Sequence, residues 1–387
     1  MSAREFVTLV CGLLLLLTTT AAGAQQQSRS DCFIAAGQIE SGQAAEAKSD
    51  WAAALTDYKA ALARAPRCAE LLVNLGVVHN RLNQPEQAVA AFRRAASLNP
   101  QLAAAPLNLG LTDFRAGRYA DAAASLARAV ELEPTDAQGR QLLALAHVAL
   151  EQFALATVQL EWLLARNGQD RAVLLALGEC YLRLKNYPQA AKHLGHLAGL
   201  EPGSARAHLR HGEALDNASA SEEALAAFRR AVELDPKLPE THYALGYALL
   251  KRGDLDEAAS EFENELKLNP EMLLARYHLG KVYLQRARIG EAIDLLNRVV
   301  ETAPDFRPAL EALGQALLKQ PNVPRAVEML ERAVKLSPDW PDGRALLGRA
   351  YMAAGRRDDA KREFAVARQL GLLERKKLEG KVIERKP

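Results

Sequence analysis

The sequence predicts an all-α solenoid, that is, a stack of short helical hairpins. Three observations lead to this fold class. Ala and Leu supply most of the apolar residues, and aromatic residues make up only 5% of the 387-residue chain, a composition that favours helices over β-strands. A set of marker residues recurs every 34 residues. A helical hairpin of that length cannot bury its own apolar face, so neighbouring hairpins must stack.

The charge balance argues against two other classes of protein. The formal net charge is +2, from 49 Lys and Arg residues against 47 Asp and Glu residues. We therefore expect no nucleic-acid partner, because nucleic-acid-binding proteins carry strongly basic surfaces. Charged residues make up 25% of the chain, which is average for a folded protein, so wholesale disorder is not expected either.

Residues 1–24 are predicted to be a secretory signal peptide. Arg4 precedes an apolar run from Phe6 to Leu17, and small residues follow up to Ala24. The run is shorter than the ~20 residues of a membrane-spanning helix, and the small residues suit a signal peptidase. We expect cleavage after Ala24, a periplasmic or secreted protein, and no stable membrane insertion afterwards. A retained anchor and a lipoprotein are the alternatives, but Cys11 lies inside the apolar run, where a lipoprotein cysteine would not stand.

The period of 34 residues is set by three kinds of marker. Proline stands near the end of most repeats, with Gly168 taking its place once: Pro66, Pro100, Pro134, Gly168, Pro202, Pro236, Pro270, Pro304 and Pro338. Ten residues later stands a small residue: Gly76, Gly110, Ala144, Gly178, Gly212, Gly246, Gly280, Gly314 and Gly348. Twelve residues further on stands alanine, from Ala88 to Ala360. Gly42 and Ala54 extend the same frame backwards.

These markers predict ten repeats without insertion or deletion: 35–68, 69–102, 103–136, 137–170, 171–204, 205–238, 239–272, 273–306, 307–340 and 341–374. Each repeat should hold two antiparallel helices, which approach closely where the side chains are small. Proline stops the second helix, and Gly168 is expected to stop it as a left-handed cap. Residues 25–34 form a lead-in, and residues 375–387 form a basic tail that we expect to be a solvated cap.

A 34-residue hairpin with small, Ala, aromatic and Pro markers resembles the tetratricopeptide repeat. The resemblance covers residues 35–374, and the fourth place of the repeat departs from it, because no repeat has Trp there. It implies a right-handed superhelix whose concave wall is formed by the first helices. The side chains that reach this wall would come from places 2, 5, 6, 9, 12 and 13 of each repeat. Such a wall implies a peptide or protein partner and no enzymatic activity.

The residues at these places divide the expected groove into zones. Repeats two to five offer a largely apolar wall with two amides, repeats five and six turn acidic, and aromatic and then basic side chains follow. The candidate partner-binding residues are Asn74, Val77, Asn108, Leu111, Glu179, Arg210, Glu213, Tyr243, Tyr247, Tyr277 and Lys281. The basic set with which chaperone-binding members of the family hold a C-terminal carboxylate is missing.

Tyr243, Tyr247 and Tyr277 support two interpretations. Tyrosines in adjacent repeats could form an amphipathic platform for a partner, or they could be packing residues. We expect an exported, non-enzymatic protein-interaction scaffold. The alternative is a module that binds a glycan or a small ligand at the same three tyrosines.

Cysteine and histidine residues offer two further candidate sites. Cys32 and Cys68 lie near the same end of adjacent first helices, so they could form a disulfide in an oxidising compartment, whereas Cys180 is expected to be a small buried apolar residue. His193, His196, His208 and His211 could bind a metal ion if their rings converged, but ordinary core or surface histidines are the favoured interpretation. We expect no metal site, no catalytic residues and no cofactor, because no catalytic or phosphate-binding motif is present.

Overall fold

The computed structural model describes residues 32–383 and contains only helices and connecting turns over that range. The predicted signal peptide, most of the lead-in and the last four residues lie outside the described residues. The first ten helices are α1 (Ala36–Ala47), α2 (Trp51–Arg64), α3 (Ala69–Arg81), α4 (Pro85–Leu98), α5 (Ala104–Arg115), α6 (Tyr119–Leu132), α7 (Ala137–Ala149), α8 (Phe153–Arg166), α9 (Arg171–Arg183) and α10 (Tyr187–Leu200). The next ten are α11 (Ala205–Asn217), α12 (Ser221–Leu234), α13 (Thr241–Arg252), α14 (Leu255–Leu268), α15 (Leu273–Gln285), α16 (Ile289–Thr302), α17 (Arg307–Leu318), α18 (Val323–Leu336), α19 (Pro341–Ala353) and α20 (Arg357–Ile383).

The predicted all-α solenoid is confirmed. The chain divides into two compact bodies, an N-terminal body that ends at His193 and a C-terminal body that begins at Leu194. Within each body a first helix packs against the second helix of its own repeat, as α1 does with α2 and α11 with α12. The second helix then packs against the first helix of the next repeat, as α2 does with α3 and α12 with α13. First helices also touch one another, α3 with α5 and α5 with α7 in the N-terminal body, and α11 through α19 in turn in the C-terminal body. We call each such row of first helices the first-helix wall.

Small residues at the eighth place of the repeat allow the two helices of a hairpin to meet. A Cβ atom on Gly76 would lie 2.5 Å from the ring of Phe92, and one on Gly314 would lie 2.6 Å from Cγ of Leu330. Six other glycines meet the residue sixteen positions later in the same way: Gly42, Gly110, Gly212, Gly246, Gly280 and Gly348. The large side chain on the second helix, mostly fully buried, therefore occupies the space that the glycine leaves.

The turn inside the hairpin requires a left-handed backbone. One residue of this turn has a positive φ angle in nine repeats, at Ser49, Asn83, Gly117, Glu151, Lys185, Ser219, Gly253, Ala287 and Gly355. Only three of these are glycine, the residue that adopts this conformation without steric cost. In repeat nine the same place is Pro321, whose ring fixes a negative φ angle, and there Asn322 N donates to Gln320 O instead.

The prediction that Gly168 caps α8 in a left-handed conformation is wrong. Gly168 has no positive φ angle, and Asn167, the cap residue that follows α8, has φ −132° and ψ 86°. Asn99 and Asn269, which precede prolines, end their helices with nearly the same angles. These second helices thus end in the same backbone geometry, whether the next residue is glycine or proline.

The fourth place of the repeat has a structural role that differs from that of Trp. In five repeats the Arg or His side chain there lies within hydrogen-bonding distance of the proline carbonyl that ends the preceding repeat. These side chains are Arg140 with Pro134 (2.9 Å), His208 with Pro202 (3.2 Å), His242 with Pro236 (2.9 Å), Arg276 with Pro270, and Arg344 with Pro338 (3.1 Å). The side chain thus provides a hydrogen-bond partner for a carbonyl group in the turn that has no partner within a helix.

The two ends of the described chain differ from the inner repeats. Cys32 and Cys68 form a disulfide with their Cα atoms 4.9 Å apart, and it joins the lead-in to the N-terminus of α3. Helix α20 continues past residue 374, where the tenth repeat was predicted to end, to Ile383. Leu372 stands where earlier repeats have their proline, so the backbone there meets no helix stop.

The close approach inside each hairpin can be tested at Gly314. Gly314→Ala should lower the free energy of unfolding by about 1–3 kcal/mol, because the new methyl group overlaps Leu330. Gly290→Ala is the matched control, since Gly290 also lies in a helix but has no atom within 4 Å of its would-be Cβ. The control should leave stability unchanged or raise it by less than about 1 kcal/mol. Urea titration measures both variants, and equal effects would contradict the steric argument.

Candidate functional site

In the N-terminal body the predicted wall residues form a half-buried apolar surface. Asn74, Val77, Leu111 and Glu179 are all partly exposed, and Leu145 and Leu175 are 43% and 40% exposed. Asn108 is also half-buried, but its Nδ2 donates to Ala104 O of its own helix at 2.9 Å. That amide donor is therefore engaged in its own helix.

In the C-terminal body the tyrosines and their neighbours form a cluster of aromatic rings. The rings of Tyr243 and Tyr247 stack with centroids 6.2 Å apart and planes at 15°. His278 lies against Tyr247 at 5.1 Å and against Phe262 at 5.7 Å. The three predicted tyrosines differ in exposure. Tyr277 is only 9% exposed and packs on Phe306, whereas Tyr247 is 38% exposed and Tyr243 is half-buried.

Tyr243 and Tyr247 line a pocket of about 350 Å³ between the first helices of the sixth, seventh and eighth repeats. We call it the tyrosine pocket. Its lining also includes Glu213, Asp216 and Glu240 as acidic residues, with Phe228, Met272 and Leu274 as apolar ones. Arg210, a predicted wall residue, does not line this pocket and instead pairs with Glu213 at 2.8 Å. The pocket thus combines aromatic faces with carboxylates.

A second pocket of about 240 Å³ lies along α15 and α17. We call it the lysine pocket, because Lys281 and Lys319 line it together with Gln285, Gln315, Tyr277 and Glu311. Burial raises the pKa of Glu311, while Arg307 and Lys281 act in the opposite direction. Glu311 pairs with Arg307 at 3.6 Å and accepts from Gln315 Nε2 at 3.1 Å.

A buried glutamate positions the start of the helix that carries the tyrosines. Glu240 precedes α13 in a left-handed conformation, and its side chain does not cap the helix. Instead Glu265, which is fully buried on α14, accepts from Tyr243 N at 3.3 Å. A carboxylate at a helix N-terminus is favoured by the helix dipole. Other repeats have Ala, Leu or Val at the place of Glu265, so this acid was a signal that the sequence analysis missed.

Several other lining residues were also missed. Glu240, Glu311 and Gln315 occupy places 2, 5 and 9 of their repeats, which are places that the family resemblance assigns to the wall. Applying that rule to every repeat would have found them. Phe228 and Met272 lie outside those places, and only the folded chain brings them to the tyrosine pocket.

The histidines singled out in the sequence make different contacts, although burial and then the nearby His208 both lower the pKa of His211. His193 stacks on Tyr181 with centroids 5.6 Å apart, His208 contacts Pro202 O, and His211 Nε2 lies 2.8 Å from a would-be Cβ on Gly195. Within residues 32–383 a cluster of three possible metal ligands is found only at Cys32, Cys68 and Glu70, and there the two cysteines are already bonded to each other. The metal hypothesis for the histidines thus has no geometric support.

Cys180 is buried, and burial raises the pKa of its thiol to about 11, which leaves it protonated at neutral pH. In the part of the chain that the structure describes, every helix is too short or too polar to cross a membrane.

Comparison with known proteins agrees with the repeat pattern. A family model described as tetratricopeptide repeat matches residues 39–106, 79–137, 107–156, 142–194 and 243–308, which together make up more than half of the chain. A model described as TPR repeat matches residues 221–253, and another tetratricopeptide repeat model matches residues 317–370. None of the curated proteins matches the chain.

Solved structures similar to this chain include three repeat proteins. MamA from Desulfovibrio magneticus RS-1, from residue 41 to its end, is 26% identical over 43% of this chain and 94% of that one, with a TM-score of 0.41. A thermophilic TPR protein of Thermus thermophilus is 26% identical over 46% and 97%, with a TM-score of 0.33. The P58(IPK) TPR domain is 17% identical over 83% and 98%, with a TM-score of 0.30.

The half-buried His278 of the aromatic cluster should make stability depend on pH. Burial, aided by Lys281, lowers the pKa of His278 from 6.5 to about 4. As the pH falls from 6.5 to 4 the unfolded chain therefore takes up this proton before the folded chain does. Protonation of His278 should therefore lower the free energy of unfolding by at most about 3 kcal/mol over this pH range.

His278→Asn, which introduces the residue found at the same place in repeats two and three, should remove that part of the pH dependence. Urea titrations at pH 7, 5.5 and 4 measure it. His196→Asn, at an exposed histidine of the same body, should leave the pH dependence as it is in the wild type. Parallel curves for the wild type and His278→Asn would contradict the expectation.

Proposed function

The chain belongs to the tetratricopeptide repeat family, and on that premise we propose that it is an exported scaffold that binds a peptide or protein partner on the first-helix wall of its C-terminal body. Repeats of this family form protein-interaction scaffolds, and the family is generally non-enzymatic. The proposal adds the position of the contact surface and the compartment.

The observation that carries the proposal is the tyrosine pocket. Tyr247 is 38% exposed and Tyr243 is half-buried, and Leu274, which lines the same pocket, is also exposed. Tyrosine combines a large apolar face with a hydroxyl group, and it is enriched among the residues that dominate binding energy at interfaces. The opening between successive first helices admits side chains of a segment lying across the wall.

A glycan or small ligand is the second candidate, and the same pocket favours it. Two stacked tyrosine rings with carboxylates beside them in about 350 Å³ could hold a sugar ring as well as a side chain. A peptide extends across several first helices, whereas a sugar would remain in one pocket. Variants of the lysine pocket therefore distinguish the two candidates, because they should weaken the binding of a peptide and leave the binding of a sugar unaffected.

Export is supported by residues 1–24 and by the disulfide. Disulfides persist in oxidising compartments such as the periplasm and the extracellular space, and Cys32 is bonded to Cys68. The protein purified from its own cells should begin at Gln25, and its mass should rise by two hydrogens on reduction. Mass spectrometry of the soluble exported fraction measures both. A chain that keeps residues 1–24 and stays with the membrane would contradict the proposal.

Tyr247→Ala should weaken the binding of the partner at least about 30-fold. This corresponds to about 2 kcal/mol of binding free energy, as expected for a residue that dominates an interface. The partner is first captured from the exported fraction with the wild-type chain, and its Kd is then measured by calorimetry. Tyr119→Ala is the matched control, because Tyr119 is 37% exposed but lies on α6, a second helix. A partner that binds the wild type and both variants alike would refute this surface as the binding site.

A further inference from the structure

We propose that the C-terminal wall recognises an extended peptide segment carrying an arginine and, about five or six residues away, an aspartate or glutamate. The arginine would enter the tyrosine pocket and the acidic side chain would enter the lysine pocket. This inference rests on the proposed function, since it names the chemistry of the partner at the same wall.

The tyrosine pocket is suited to a cation. Glu213, Asp216 and Glu240 line it, and none of its lining residues is basic. Arg210 and Lys251 pair with Glu213 and Asp216 from outside the lining, at 2.8 and 2.6 Å. A carboxylate accepts about four hydrogen bonds, so a guest guanidinium can bond Asp216 beside Lys251, and Glu240 adds an exposed carboxylate.

The aromatic faces favour arginine in particular. Elsewhere in this chain an arginine of the protein itself covers an aromatic ring, as Arg288 covers Tyr283 at 3.8 Å and Arg356 covers Tyr351 at 4.2 Å. The ring of Tyr247 has Tyr243 stacked beside it and His278 at its edge, and the cation over it is Lys251, at 5.9 Å, which is at the limit of a cation–π contact. A planar guanidinium both stacks on such a ring and bonds carboxylates in a fork, which an ammonium group cannot do.

The lysine pocket has the opposite character. Lys281 and Lys319 supply two ammonium groups, and Gln285 and Gln315 supply amides. The one acid in the lining, Glu311, is already held by Arg307 and Gln315. A guest carboxylate would therefore meet donors from both first helices.

The register of the repeats fixes the spacing between the two pockets. The ninth places of four successive repeats hold Glu213, Tyr247, Lys281 and Gln315, and the first helices that carry them contact one another in order. Packed helices lie about 8–10 Å apart, so Glu213 and Lys281 are roughly 16–20 Å apart along the wall. An extended chain, at about 3.3 Å per residue, spans this distance in about five or six residues.

Four fluorescent twelve-residue peptides test the proposal against the full-length chain. All have the same Gly, Ser and Leu background with capped ends, and they carry Arg and Asp, Asp and Arg, two Arg, or two Asp, five residues apart. Fluorescence anisotropy at about 0.15 M salt, where distant charges are screened, measures each Kd. One of the two mixed peptides should bind at least about tenfold tighter than both like-charged peptides, and the order of its charges gives the direction of the chain.

Protein variants then assign each charge to its pocket. Lys281→Glu combined with Lys319→Glu should reverse the preference, so that the two-arginine peptide binds at least about tenfold tighter than the mixed peptide. Lys335→Glu is the matched control, because Lys335 is exposed on the second helix α18 and should change no preference. Since this assay looks for a gain of binding, a misfolded variant cannot mimic success.

The possible failures separate the two proposals. If the peptides bind without charge preference but lose affinity in Tyr247→Ala, the charge inference is wrong and the wall remains the binding site. If like-charged peptides bind as tightly as mixed ones and the double lysine variant reverses nothing, the inference is also overturned. If no peptide binds and the captured partner is indifferent to Tyr247→Ala, the inference and the proposed function both fall.

Discussion

The close contact between the two helices of each hairpin is the constraint on which the rest of the structure depends. Where the eighth place is glycine, the large side chain sixteen residues later fills the space that a Cβ atom would need. The first helix is thereby held at a fixed distance from the second, with the same face turned inward in every such repeat. Because packing decides that face, the remaining faces of the first helices form a regular row, and their side chains recur in register.

Because the repeats are in register, equivalent side chains of successive first helices form two surfaces of different charge. In the C-terminal body the wall places change from acidic to aromatic to basic over three repeats, and the pockets follow the same order. The zoning arises from single substitutions at equivalent places, since the helices themselves keep their contacts from one repeat to the next. Repeat seven adds the buried Glu265, which holds the start of α13 where no side-chain cap exists.

The repeated features could be predicted from the sequence because the same residue types recur at the same places in ten repeats. The hairpins and the small-residue contacts follow from the 34-residue frame, whereas the wall places of Glu213, Tyr243 and Tyr247 are what the family resemblance implies. What breaks the frame could not be predicted. A cap at Gly168 was expected from glycine's freedom, but the backbone there follows the geometry shared by its neighbours. The packing of Tyr277 on Phe306, the last residue of the same repeat, and the approach of Met272 to the tyrosine pocket are side-chain contacts that the repeat markers do not specify.

Gly314 and Gln315 are adjacent in sequence but have different roles. Gly314 meets Leu330 inside the hairpin, and Gln315 lines the lysine pocket. A helix rotates by about 100° per residue, so two adjacent residues of a first helix, such as these, can serve the hairpin contact and the wall separately. Changes of partner can then accumulate on one side of the array without eroding the other. Such an architecture can acquire a new specificity one repeat at a time, which a globular core, where neighbours share every contact, does not permit.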